Sequence, residues 1–500
     1  MQEYTILWAD DEIELLKPHI LFLSKKGYDI TPVNNGADAI EKCGQQNFDV
    51  IFLDENMPGM TGLETLTELK SMRPNTPVVM ITKSEEEHIM EEAIGQKIAD
   101  YLIKPIHPSQ VLLSVKKLLD KNRLVTERTN SSYQQDFRNI SMAFFNDLSH
   151  KDWVDIYRKL VYWDLEINET ENRSMAEVLD MQRSEANVNF AKFIKDNYES
   201  WLHDPELDRP VLSQDLFRKR IIPALEEDEE NPLFVLLIDN LRLDQWKVIE
   251  PIIAQYFSVE EDDTYFSILP TTTGYARNAI FSGLMPKNNN EEELLGQQLK
   301  RLQKDVRYSY HKIIHANQGR QVQDQLHNLF SNKLNVLVYN FVDMLSHART
   351  DTAMIRELAH DEAAYRSITK SWLLHSPLLD TIKTLAEKKA RVIITTDHGT
   401  VWTKRPYKII GDRNTSTNLR YKQGKSLSYD KKYVYEVYDP SRLFLPKSDL
   451  TTSYVFTTED YFFAYPNNYH HYVKYYKNTF QHGGISLEEM IVPFIKLKAR

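Results

Sequence analysis

The chain has 500 residues and a single cysteine. No intramolecular disulfide can form, and a cysteine-based zinc site lacks its thiolates. Glycine is scarce, at 15 residues, and none falls between Gly95 and Gly274. Proline is missing between Pro108 and Pro205. Alternating α/β folds need frequent turns, so the unpunctuated middle must be built differently from the two ends. There is no excess of positive charge: 61 Lys and Arg stand against 72 Asp and Glu, a net −11. Duplex DNA binding is therefore excluded as the main task. No run reaches the ~18 apolar residues of a membrane span. The opening MQEYTILWADDE has neither the basic nor the apolar region of a signal peptide. The expectation is a cytoplasmic protein with no membrane span.

What remains is ordinary globular composition, with 42% hydrophobic and 27% charged residues. At roughly 150 residues per domain the length suits about three domains. Residues 1–120 alternate short apolar runs (Tyr4–Ala9, Tyr28–Val33, Phe48–Leu53, Val78–Thr82, Tyr101–Ile103) with amphipathic segments. That alternation predicts a doubly wound α/β sheet of the flavodoxin-like kind. Pro18 should kink the first helix or mark its late start. Residues 121–220 recur at three- and four-residue apolar steps, as in WVDIYRKLVYWDLEI, and predict a helical bundle connector. The acidic run Glu226–Glu230 reads as a solvated loop. From 221 to 500 the α/β alternation returns on a larger scale, with strands at Phe234–Ile238, Tyr265–Leu269, Val336–Val342, Val392–Thr396 and Met490–Leu497.

In the first segment Asp10 and Asp11 close one strand, Asp54 the third, Thr82 the fourth and Lys104-Pro105 the fifth. In a parallel sheet these ends share one edge. Three carboxylates there repel one another unless a cation joins them, and Mg²⁺ with oxygen ligands suits. A hydroxyl and an ammonium on the same edge complete the equipment for accepting a phosphoryl group on Asp54. The ordered set resembles response-regulator receiver domains. That resemblance implies Asp54 as phospho-acceptor and Asp10, Asp11 and the Asn56 carbonyl around Mg²⁺. It also implies Thr82 and Lys104 on the phosphoryl group and Tyr101 at the aromatic switch position. Lys104-Pro105 is a candidate cis peptide.

In the last segment three strands end in Asp239, Asp343 and Asp397; His398 follows directly, His347 lies four residues past Asp343, and His482 precedes Gly483-Gly484. Three Asp and three His without Cys suit Zn²⁺, with Mn²⁺ second, and six ligands suit two ions. Between the first two motifs, LPTTTGYARNAIFSG turns from strand to helix through Thr271, Thr272 and Thr273. A hydroxyl there is placed to attack a phosphate. All three qualify, and Thr271 is favoured as the first residue after Pro270. Arg277 and Asn278, early in the helix, are candidates for binding phosphate oxygens, with surface ion pairing an alternative for Arg277. Asp244 reads as a structural helix acid.

This ordered set resembles the alkaline phosphatase superfamily, and its PglZ-type branch in the run Asp239 to Gln245 and in TTTGYARNAIFSG. The resemblance implies one metal on Asp343, His347 and His482, and another on Asp239, Asp397, His398 and the nucleophilic threonine. Two-metal logic then gives in-line attack, a phospho-threonine and its hydrolysis. Of 27 tyrosines, 13 lie in the last hundred residues, many beside Lys or His. Tyrosine faces stack on bases, which favours a nucleotide or (cyclic) oligonucleotide diester over a bare monoester.

The three segments in this order resemble response regulators linked to type IX secretion and gliding motility. By that resemblance the partners are a sensor histidine kinase and secretion-system or sigma-factor proteins. A phosphorylation-promoted homodimer is expected. The alternative is a catalytically weak, zinc-stabilised signalling module acting through dimerisation and protein partners.

Overall fold

The computed structural model describes residues 4–83, 98–169, 173–228, 230–285, 290–412 and 415–500. The chain forms two compact units, Met1–Ser132 and Tyr133–Arg500.

The first unit is built on β1 (Tyr4–Ala9), β2 (Tyr28–Val33), β3 (Val50–Asp54), β4 (Val78–Thr82) and β5 (Asp100–Ile103). The strands are all parallel in the order β2-β1-β3-β4-β5. This is the flavodoxin-like doubly wound topology. Residues alternate between the two faces: Leu7 and Ala9 face one core, Ile6 and Trp8 the other. Both faces of β3 and β4 are buried, which is why these strands read as continuous apolar runs. Pro18 sits in the first turn of the helix Lys17–Ser24, so it marks a late start and makes no kink. The helix expected between β4 and β5 falls largely on 84–97, outside the described residues.

In the second unit the main sheet has six strands. Its strands are β6 (Leu233–Ile238), β7 (Phe257–Phe266), β8 (Tyr308–Ile313), β9 (Leu334–Tyr339), β10 (Arg391–Thr395) and β18 (Ile491–Ala499). β8, β9, β6 and β10 run parallel, β18 is antiparallel to β10, and β7 is antiparallel to β18. The C-terminal ends of β6, β7, β9 and β10 and the start of β18 therefore share one edge. The strand expected over Tyr265–Leu269 instead begins at Phe257 and stops at Phe266, because Pro270 and the polar turn cannot extend the ladder. β8 was not expected, since its side chains are mostly half-buried and no apolar run marks it.

Small sheets flank this edge. β11 (Val401–Thr403) pairs with β17 (Thr479–Gln481), and β12 (Arg405–Lys408) with β16 (Tyr461–Ala464). β13 (Tyr421–Gly424) and β14 (Val434–Val437) both pair with β15 (Ser453–Thr457).

The helices His150–Glu169 and Arg173–His203 belong to this second unit. Their inward aromatics, Trp153, Tyr157, Phe190, Tyr198 and Trp201, join the core on one face of the sheet, with Phe234, Leu236 and Phe266. The alternate residues Leu233, Val235 and Leu237 face the second core, with Ile280, Phe281 and Leu295. The connector is thus fused to the larger α/β core by buried rings, with Phe266 meeting Phe190 at 6.1 Å and Trp201 at 5.8 Å.

Candidate functional site

On the sheet edge of the first unit the fold brings Asp10, Asp11 and Asp54 together; a carboxylate oxygen from each lies within 4.8 Å of the others. Lys104 Nζ bridges Asp10 at 2.9 Å and Asp54 at 2.8 Å. Burial, then the charges of Asp10 and Asp11, raise the Asp54 carboxyl against the pull of Lys104. That is the environment that a divalent cation relieves, and the all-oxygen donor set fits Mg²⁺. The Thr82 hydroxyl donates to Glu55, a residue that nothing in the sequence singled out. Tyr101 is exposed on β5, and Asn56 lies on the exposed loop after Asp54. Lys104-Pro105 is cis.

On the edge of the large sheet the six Asp and His residues gather as two groups, Asp343–His347–His482 and Asp239–Asp397–His398. Asp239 follows β6 and Asp397-His398 follow β10. Asp343 does not end a strand as expected: β9 stops at Tyr339, and Asp343 and His347 share a face of the helix Phe341–Asp351, where a spacing of four brings side chains together. Within the first group His347 Nε2 is 3.5 Å and His482 Nε2 3.6 Å from Asp343. Within the second, His398 Nε2 is 3.8 Å from both Asp239 and Asp397. The rings of His398 and His482 stack at 4.3 Å, so the two groups adjoin.

The histidines are oriented from behind. His482 Nδ1 faces the Thr271 carbonyl at 3.2 Å, and His398 Nδ1 the Gly399 carbonyl at 3.1 Å. A carbonyl accepts a proton's hydrogen bond, so Nδ1–H is fixed and each Nε2 lone pair points at the carboxylates, the arrangement of a metal ligand. Burial, and then the neighbouring His398, push His482 down to about 4 and keep its ring neutral. Burial drives Asp239 well above the usual carboxylate range, with Asp397 and Asp343 adding to it and Arg277 opposing. Burial acts the same way on Asp397, but Arg277 and His398 outweigh it and hold that carboxyl below its ordinary value. Mixed imidazole and carboxylate donors crowded to this degree fit two divalent ions of the zinc type.

Three sequence expectations are corrected here. Thr271 is fully buried, and its hydroxyl is consumed: it donates to the Gly484 carbonyl at 3.0 Å and accepts from the Gly483 N–H at 2.9 Å. The cis Leu269-Pro270 bond and a Thr272 N–H to Pro270 contact of 2.7 Å turn the chain. Thr272 is the N-cap, and Thr273 opens the helix Thr273–Ser282. It is the Thr273 hydroxyl that faces the second group, 3.4 Å from Asp239 and 3.2 Å from His398 Nε2. Arg277 is wholly buried, neither on the surface nor open to a phosphate. Its Nε donates to Asp397 at 3.0 Å, and it also pairs with Asp239. Asn278 spends its amide on the Gly274 carbonyl at 2.8 Å, inside its own helix. Asp244 is a buried structural acid, paired with Arg242 and, at 3.0 Å, with Arg366.

The connector supplies residues that sequence reasoning missed. The Tyr198 hydroxyl accepts the Leu269 N–H at 2.8 Å, one residue before the turn that carries the threonines. Asn187 accepts the Leu487 N–H at 2.8 Å and donates to Glu488 at 3.1 Å. The Glu488 carbonyl in turn crowds Gly399: a Cβ there would lie 2.0 Å from it. Gly483, at φ 122, has no room for a side chain either, since Asn418 and Tyr421 would each lie 2.9 Å from its Cβ. Gly399, beside His398, lets the chain approach other backbone closely, and Gly483, beside His482, lets it pack against side chains. Only the abrupt Gly-Gly after His482 signalled any of this.

Comparison with known proteins places three family models along the chain: a response regulator receiver domain over residues 6–116, the PorX response regulator linker domain over 123–202, and the BREX system PglZ alkaline phosphatase-like domain over 216–497. Their order matches the PorX architecture. Among curated proteins, the transcriptional regulatory protein ResD of Bacillus subtilis is 35% identical over 117 residues, 23% of this chain and 48% of ResD. SrrA of Staphylococcus aureus is 30% identical over 150 residues, 30% of this chain and 62% of SrrA. The chain thus spans about half to three-fifths of these relatives. Among solved structures, the chemotaxis protein CheY4 of Vibrio cholerae matches at 28% identity and a TM-score of 0.22, covering 23% of this chain and 98% of CheY4.

Proposed function

The chain belongs to the PglZ family of alkaline phosphatase-like proteins, carried behind a receiver and a PorX-type linker as a two-component response regulator, and on that basis we propose that its effector is a zinc-dependent phosphodiesterase with Thr273 as nucleophile. One observation carries the reading: the Thr273 hydroxyl, at the start of a helix, lies 3.4 Å from Asp239 and 3.2 Å from His398, beside a second group of ligands. Asp239, Asp397 and His398 would hold one ion, and Asp343, His347 and His482 the other. When bound, the ions supply the positive charge that favours the alkoxide and the departing oxygen. The Thr273 oxygen forms a bond to phosphorus while the ester P–O bond breaks, and the alcohol leaves with a proton. Water then cleaves the threonine–phosphorus bond. The helix N-terminus behind Thr273 favours the anionic phosphate. Arg277 holds Asp239 and Asp397 apart and in place.

We read the substrate as a nucleotide or oligonucleotide diester. The helix Tyr469–Tyr476, six residues before His482, carries no buried residue and displays four tyrosines. Lys408 lies 5.0 Å over Tyr469, and Arg356 lies 5.5 Å over Tyr475. Paired rings and cations suit bases and phosphates.

In the receiver the reading is phosphorylation of Asp54 by a histidine kinase, with Mg²⁺ on Asp10, Asp11, Asp54 and the Asn56 carbonyl. Phosphorylation would promote a homodimer. The PorX-like order supports a place in type IX secretion and gliding, in the cytoplasm, with secretion or sigma-factor proteins as partners. Among the described residues no helix is long and apolar enough to cross a membrane.

The test is hydrolysis of an activated aryl phosphodiester and the matching monoester by zinc-loaded protein. Faster turnover of the diester, lost in Thr273→Val, is expected. Turnover no faster than background would refute the enzyme and leave a zinc-stabilised module acting through dimerisation and protein partners.

A further inference from the structure

We infer that Asn240 is a positioning residue that ties the two ligand groups into one rigid unit, an inference that rests on the two-ion reading above. Asn240 follows Asp239 directly after β6. It is fully buried and held at φ 64, a left-handed conformation that asparagine adopts more readily than most residues. That backbone twist aims its two hydrogen-bonding ends at different groups. Its backbone N–H donates to Asp397 Oδ1 at 3.3 Å, in the second group. Its side-chain Nδ2 donates to Asp343 Oδ1 at 3.3 Å, in the first, and lies 3.3 Å from the Ser346 hydroxyl. Ser346 in turn donates to the Asp343 carbonyl at 2.7 Å, fixing the turn of helix that bears Asp343 and His347. Among the described residues the carboxamide oxygen of Asn240 has no hydrogen-bond partner. The amide orientation is therefore set by what its NH₂ group faces, which is the ligand Asp343.

The two ends of the residue carry separable roles. The backbone N–H to Asp397 survives any substitution that keeps the φ angle, whereas the amide to Asp343 is lost with the side chain. Hydrogen-bond partners behind metal ligands commonly set about 10–100-fold of metal affinity. Replacement of Asn240 should therefore weaken one ion and spare the other.

The experiment is zinc titration of the full chain against a chromophoric chelator, with bound zinc counted by elemental analysis and the fold followed by tryptophan fluorescence. Asn240→Gly tolerates the left-handed backbone and removes the amide. Asn240→Asp also tolerates it and turns an N–H donor into a carboxylate oxygen facing Asp343. In both, one of two zinc equivalents should weaken by about 10–100-fold while the other stays within about threefold of wild type. Two unchanged equivalents, or two weakened alike, would overturn the inference. A wild-type chain that takes up fewer than two equivalents would overturn the two-ion reading itself, a result distinct from either.

Discussion

The neighbouring threonines Thr271 and Thr273 should fail in opposite ways when each is changed to valine. Valine keeps the shape and removes the hydroxyl. At 271 the hydroxyl bonds the Gly483 N–H and the Gly484 carbonyl inside a fully buried turn. Leaving two buried backbone groups without a partner costs about 1–3 kcal/mol each, so roughly 2–6 kcal/mol of stability should go. The same turn sets His482, so turnover should fall modestly, about tenfold or less, in protein that remains folded. At 273 the hydroxyl is half-buried and its contacts are long, at 3.4 and 3.2 Å. Its loss should cost under about 1 kcal/mol, yet turnover should fall on the order of 10³-fold or more, since the attacking atom is gone. Urea unfolding followed by tryptophan fluorescence reads the first quantity, and aryl phosphodiester hydrolysis with saturating zinc reads the second. If Thr273→Val retains turnover while a stable Thr271→Val is dead, the placement of the nucleophile at the helix start is wrong.

Glu362, with its side chain 14% exposed, accepts from Arg183 at 2.5 Å and Arg242 at 2.8 Å. Glu362→Gln removes the charge that these two arginines share, while Arg242 keeps Asp244 and Arg183 keeps Asp180, and should cost about 1.5–3 kcal/mol in urea unfolding at pH 7. Burial alone would raise the Glu362 carboxyl, but the two arginines prevail and hold it at about 2, below the ordinary 4.5. A depressed acid stabilises above its unfolded value and loses that stability as pH falls, so wild type should weaken between about pH 4.5 and 2 more steeply than the variant. Lys422 is buried on β13 and donates to the Ser416 carbonyl at 2.9 Å; burial brings it from 10.5 down to about 7. The unfolded chain then binds a proton that the folded one gives up, so stability should rise from about pH 7 toward 10, and Lys422→Met should flatten that slope in unfolding curves at several pH values. Gly399→Ala places a Cβ 2.0 Å from the Glu488 carbonyl oxygen. It should destabilise the fold by roughly 1–3 kcal/mol or more and weaken zinc at the Asp239–Asp397–His398 group, whereas unchanged unfolding and zinc titration would show that the loop yields freely.

The amino-acid sequence by itself determined the strand ends and the acids on them. A parallel sheet buries both faces, so its strands are apolar runs that stop where polar chemistry begins, and Asp10, Asp54, Asp239 and Asp397 stand at those stops. The cysteine count and the glycine-free middle were also decisive from composition alone, pointing to Asp and His donors and to long helices.

Which atoms meet across the fold was decided only by the tertiary structure. Thr271 and Thr273 are equivalent as letters; the turn at Pro270 buries one hydroxyl against Gly483 and Gly484 and delivers the other to His398. Arg277 looked like a surface or phosphate-facing cation, yet one more helical turn carries it beneath Asp239 and Asp397. Tyr198 and Asn187 lie about seventy and three hundred residues from the backbone groups they hold. No local pattern reports such pairs, because a hydrogen bond across packed elements depends on sheet register and helix placement. Those are set by the whole core together, not by the residues that make the bond.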